Sequence, residues 1–168
     1  MKDRKRNFRI FIINFLLFIF LILFHYSGAS IKIFGANPLT PLALLISIVM
    51  FSGELSGVLT GIAVGIVLDG VAMTPPGFNT VVFMGLSFLA VLISHYLFNR
   101  NLKSALVLCF VCSLVYFFLR WLFVFAFSTD VADGLDYLIK TAFGSSVYTA
   151  VSVIPFFYLQ KYIFKTSE

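Results

Sequence analysis

Six apolar runs, separated by short stretches that hold most of the charged residues, divide this sequence almost from end to end. Too few polar side chains remain to coat a water-facing globule. Of 168 residues, 61% are hydrophobic and 11% charged, and mean hydropathy is +1.04. A soluble domain carries about 25% charged residues. The solvent implied for this chain is lipid. At about 20 residues per crossing plus short loops, the length allows one domain with at most roughly six membrane helices.

The runs extend from about Phe8 to Phe24, Pro38 to Phe51, Leu55 to Met73, Phe78 to Phe98, Ser104 to Phe127 and Tyr137 to Ile163. The basic start leads directly into an apolar stretch of spanning length. No small-residue cleavage site follows closely, so it reads as a first helix and not as a removable leader. The second run is short, and only Ser52-Gly53-Glu54 divides it from the third. Two helices are expected there: Gly53 suits a turn, and one continuous helix would set Glu54 in mid-bilayer at high cost.

Charge orients this layout. With six crossings, Lys2, Arg4, Lys5, Arg6, Arg9, Arg100, Lys103, Lys161 and Lys165 share one side, nine of the twelve basic residues. Lys32 and Lys140 fall on the other side, with Asp130, Asp133 and Asp136, while Arg120 lies inside a run. Basic residues concentrate in cytoplasmic loops, and a five-crossing layout destroys the segregation. The expectation is an all-α membrane protein. Residues 1–168 form a single integral-membrane domain, a compact bundle of six transmembrane helices with both termini cytoplasmic. The net charge of +5 then reflects orientation and not a nucleic-acid-binding face.

One motif stands out from the apolar background. Gly57, Gly61, Gly65 and Asp69 recur every four residues along the third run, and Gly53 extends the series backward. Such spacing keeps residues on one gently spiralling face. Glycines there let a neighbouring helix approach closely, where dispersion and weak Cα–H···O contacts replace the missing hydrophobic drive. Packing inside the bundle and a docking groove for a partner's membrane helix are the two readings. A carboxylate such as Asp69 normally faces protein or water, or marks a helix end at the interface. Arg120 sits at similar depth in another outward-running helix, so an Asp69–Arg120 ion pair is one expectation and snorkelling of Arg120 to the outer headgroups the other. Downstream, Pro75-Pro76 stops the helix, Gly77 permits a tight turn and Asn79 can cap the next helix.

Other features carry little chemistry. Cys109 and Cys112 have the spacing of a redox or zinc pair, but within a lipid-embedded helix lacking nearby histidines they read as small apolar residues. Asp130, Asp133 and Asp136 offer too few oxygens for calcium and read as a solvated loop. His95 and Tyr96 read as interfacial anchors, and the 22 phenylalanines as lipid-facing filler. No serine joins a histidine and an acid in a nucleophile arrangement. No catalytic residue, cofactor or metal is expected.

The stretch Gly57-Val58-Leu59-Thr60-Gly61-Ile62-Ala63-Val64-Gly65-Ile66-Val67-Leu68-Asp69, followed by Pro76-Gly77-Phe78-Asn79 and an apolar helix, resembles MreD, the rod shape-determining membrane protein family. The specific match spans Glu54 to Met84. The remainder agrees in length, basic N-terminus and layout, and the Pro75-Pro76 pair departs from the pattern. The resemblance implies a non-enzymatic scaffold of the cell-elongation complex that builds lateral-wall peptidoglycan. It implies residence in the bacterial cytoplasmic (inner) membrane and direct binding to MreC. It also implies a shared complex with MreB, RodA and a class B penicillin-binding protein, and a packing or partner-binding role for Gly57, Gly61, Gly65, Asp69, Gly77 and Asn79. The alternative class is the substrate-binding membrane subunit of an energy-coupling-factor vitamin transporter. Those subunits carry alanine spacing on their first helix, whereas Phe8 to Phe24 has neither alanine nor glycine.

Overall fold

The computed structural model describes residues 12–23, 38–52, 54–71, 76–96, 101–125 and 142–165. Among them all regular structure is helical. Helix α1 covers Ile12–Leu23, α2 Thr40–Phe51, α3 Glu54–Val71, α4 Phe78–Tyr96, α5 Leu102–Phe125 and α6 Phe143–Lys165. Gly53, the basic N-terminal residues, Lys32, Arg100, Lys140 and the three loop aspartates Asp130, Asp133 and Asp136 lie outside the described residues. So do the side chains of His95 and Tyr96.

The break between the second and third runs is real. Pro41 sits in the first turn of α2, where its missing N–H has no helical partner to lose. At the other end Ser52 turns to an extended conformation (φ −84°, ψ 162°), its N–H closing the last turn on Ile48 O at 2.8 Å. Helix α5 starts two residues before the expected Ser104. Ala105 N–H already bonds Asn101 O at 3.1 Å, so Asn101 stands in the capping position.

Every residue from Pro41 to Met50 is buried. Helix α2 is therefore the axis of the bundle, packed against α3, α4, α5 and α6. At twelve residues it is only about 18 Å long, short of a hydrocarbon core of roughly 30 Å. Among the described residues one helix, over Leu102–Phe123, is long and apolar enough to cross a membrane, while four others are apolar but shorter.

Specific contacts fix the relative directions of the helices. Gly57 lies against Val91, Gly61 against Ser87 and Gly65 against Thr80, so α3 and α4 are antiparallel. The Phe78 ring meets Phe123 at 5.1 Å and Phe83 meets Tyr116 at 5.6 Å, so α4 and α5 are antiparallel. Leu39, just before α2, bonds Thr149, and Phe51 at its end stacks with Phe164, so α2 and α6 run parallel. Phenylalanine is not merely outward-facing filler: Phe18, Phe78, Phe83, Phe117 and Phe157 belong to the core.

Candidate functional site

The α3–α4 seam is the most extensive helix contact among the described residues, and its glycines explain how the two helices come so near. A Cβ built on Gly65 would collide with the Thr80 Cα and lie 2.8 Å from the Asn79 carbonyl oxygen. One on Gly61 would collide with the Ser87 hydroxyl and lie 2.7 Å from the Ser87 Cβ. At Gly57 the obstacle is softer, the Val91 Cγ2 at 2.8 Å. The groove made by the stripe is thus filled by this chain's own α4, and no partner helix can occupy it in this fold.

Asp69 completes the seam. Its Oδ1 accepts the Asn79 N–H at 2.9 Å and its Oδ2 accepts the Thr80 N–H at 2.9 Å. The Thr80 hydroxyl also donates to Oδ2. Asn79 and Thr80 are the second and third residues of α4, whose N–H groups have no partner within the helix. A carboxylate there satisfies both donors and faces the positive end of the helix dipole. Asp69 is therefore the N-terminal cap of α4, supplied by α3 across the seam.

Gly77 makes this geometry reachable. Its φ of +86° is a left-handed conformation that side chains resist. Its carbonyl accepts the Val81 N–H at 3.1 Å, the first turn of α4. The expectation that Asn79 caps the helix is corrected. Asn79 lies inside α4, fully buried, and its Oδ1 accepts the Tyr116 hydroxyl at 3.0 Å. It ties the α3–α4 clasp to α5, and Phe78 and Phe83 flank the same Tyr116 ring.

The Asp69–Arg120 ion pair is not formed among the described residues. The carboxylate is engaged by the start of α4, and Arg120 stands half-exposed on α5. Cys109 and Cys112 are free and buried. Cys109 directs its Sγ toward the Thr149 carbonyl at 3.8 Å, a packing contact between α5 and α6.

Two more interhelical polar contacts escaped the sequence reading. The Leu39 N–H, preceding α2, donates to Thr149 Oγ1 at 2.9 Å. Gln160 Nε2 donates to Asn14 Oδ1 at 2.7 Å between α6 and α1, where both residues are buried. Their signal was present: single amides or hydroxyls inside otherwise apolar runs need partners when buried. No protein-family model, curated protein or solved structure matches the chain.

Proposed function

We propose that this protein is a non-enzymatic, multi-pass scaffold of the bacterial cytoplasmic membrane, acting in cell elongation in the manner of MreD and binding MreC. The observation that carries the reading is the α3–α4 clasp. The glycines, Asp69, Gly77 and Asn79 that underlie the resemblance are one mechanical unit here, each contributing to the same helix contact. Their use is structural: the carboxylate holds a helix start, and Asn79 with Tyr116 joins α4 to α5.

Membrane embedding draws support from the surface. Leu55 is 76% exposed, Val81 70% and Phe20 64%, while Asn79, Ser113, Thr149 and Gln160 are fully buried. Apolar outside and hydrogen-bonded polar inside is the arrangement lipid favours. The helix directions fixed by the contacts are compatible with six crossings, and the cytoplasmic placement of both termini draws on the charge asymmetry alone. Since α4 fills the glycine groove, MreC must contact another face.

The test is depletion in the native host together with affinity purification of the full chain from its membranes. Rod-shaped cells should round up, and MreC should co-purify. Unchanged cell shape, with a vitamin retained tightly at one per chain, would favour the transporter class instead.

A further inference from the structure

A cleft of about 220 Å³ runs between α1 and α3, away from the glycine seam. Its two ends differ in chemistry. At one end stand Asn14, Ser52 and Ser56, beside Phe164. The Ser52 hydroxyl is buried there without a hydrogen-bond partner. Gln160, which holds Asn14, keeps its own Oε1 buried and likewise unpartnered. Farther along α3 the walls become apolar, with Ala63, Val64 and Val67 of α3 and Phe18 and Ile19 of α1 among them. Among the described residues, no acidic, basic or histidine residue lines the cleft.

We propose that this cleft binds a single-chain, uncharged amphiphile drawn from the bilayer, with its hydroxyl or ester head at Asn14 and Ser52 and its hydrocarbon chain along the α1–α3 wall. Among the lining residues the polar end supplies the Ser52 hydroxyl, a donor and acceptor that lacks a partner, with the Gln160 Oε1 behind Asn14, and buried polar groups are normally satisfied. Water can serve that end alone, because apolar cavities of this kind stay dry and accept hydrocarbon instead. An engineered apolar cavity of about 150 Å³ holds benzene, so the present volume suits roughly nine non-hydrogen atoms of chain and head. Among the described lining residues a charged head finds no counter-ion, and it would be desolvated at cost. The polar end lies level with the α2–α3 turn, at a helix boundary, so an amphiphile entering from the membrane keeps its normal head-to-tail orientation. The inference rests on the membrane placement proposed above and is independent of any partner protein.

The test uses the full chain in nanodiscs of one saturated phosphatidylcholine, with octan-1-ol, whose size matches the cleft, as probe and native mass spectrometry as readout. One copy should bind per chain, saturably. Heptanoate and hexyltrimethylammonium, of similar size but with charged heads, should bind at least tenfold more weakly. Ala63→Phe, which fills the apolar wall, should weaken the probe at least tenfold while leaving the thermal midpoint unchanged. Ser52→Ala should weaken the probe about two- to tenfold by removing one hydrogen bond to its head, and it leaves the Asn14–Gln160 bond intact. Absence of binding, several copies taken up without saturation, or undiminished binding by Ala63→Phe would each overturn the proposal. Release of the protein from membranes by alkaline carbonate, without detergent, would instead defeat the membrane placement, and that result is read separately.

Discussion

A methyl group added to Gly65, Gly57 or Gly85 meets three different surroundings, and these set what each alanine variant should do. At Gly65 the obstacle is the backbone of α4 itself, which cannot rotate away. Overpacking of this kind costs about 1–3 kcal/mol, so even after the roughly 1 kcal/mol that alanine gains over glycine in a helix, Gly65→Ala should lower stability by up to about 2 kcal/mol. At Gly57 the obstacle is the tip of Val91, which can twist about 30° off its rotamer for about 0.5–1.5 kcal/mol. That loss is offset by the roughly 1 kcal/mol gained when alanine replaces glycine within a helix, so Gly57→Ala should be nearly neutral. Gly85 has nothing within 4 Å of its would-be Cβ, and Gly85→Ala should gain up to about 1 kcal/mol in the folded protein. Reversible unfolding in mixed micelles ranks the three. Equal losses at all of them would refute a seam closed by backbone contact. Gly57, Gly61 and Gly65 were legible in the sequence because their spacing alone defines a face. Their graded sensitivity was not, since it depends on whether a side chain or a backbone lies opposite.

Helix α4 begins where α3 supplies a carboxylate, so the two elements stand or fall together at that end. Hydrogen bonds to a charged acceptor contribute about 1.5–3 kcal/mol, and a negative charge at a helix start about 0.3–1, rising to ~2 when partly buried. Asp69→Asn keeps the shape and one acceptor oxygen, so it should destabilise by about 1–2 kcal/mol. Asp69→Ala orphans the Asn79 and Thr80 N–H groups and should cost more. In double-mutant cycles, Asp69→Asn should couple with Thr80→Val by at least about 0.5 kcal/mol. With Arg120→Gln it should be additive to within about 0.5 kcal/mol. Strong coupling to Arg120 would restore the ion pair and displace the cap. The sequence placed Asp69 at the right distance from the Gly77 turn but pointed it at the wrong partner. Depth along an apolar run was readable, whereas the register between helices, which brings Asn79 and Thr80 within 2.9 Å, was not. The same holds for α2. Its limits followed from Ser52-Gly53-Glu54, but a run apolar on every face does not say which helices surround it.

For the molecule as a whole, the open quantity is the side on which each end lies, and two independent features bear on it. The first is charge: nine basic residues against two, with the three loop aspartates opposite, an asymmetry that sets membrane orientation. The second is packing. With α3 antiparallel to α4, α4 antiparallel to α5, and α2 parallel to α6, the helix directions that these contacts fix are compatible with the proposed six crossings. Helix α2 is the weak member, because about 18 Å of helix does not cover a core of roughly 30 Å. Enclosed by its neighbours, it faces protein and not lipid, and non-helical backbone flanking it is tolerated at membrane depth when buried in protein. On the proposed six-crossing path, such flanking backbone would have to complete the crossing that the length of α2 does not. Reporter fusions at Met1, Arg100 and Glu168 should all register as cytoplasmic, and fusions at Gly77 and Asp133 as external. If α2 dipped in and returned without crossing, Met1 would lie on the side opposite Glu168, and the Arg100 fusion would still agree with Glu168. An external Arg100 fusion would reject both the charge reading and the six-crossing path. Replacing Arg100 and Lys103 with glutamine should leave the orientation unchanged if the packed order of helices dominates. Mixed reporter signals would show instead that these two loop charges hold α4 and α5 in their orientation.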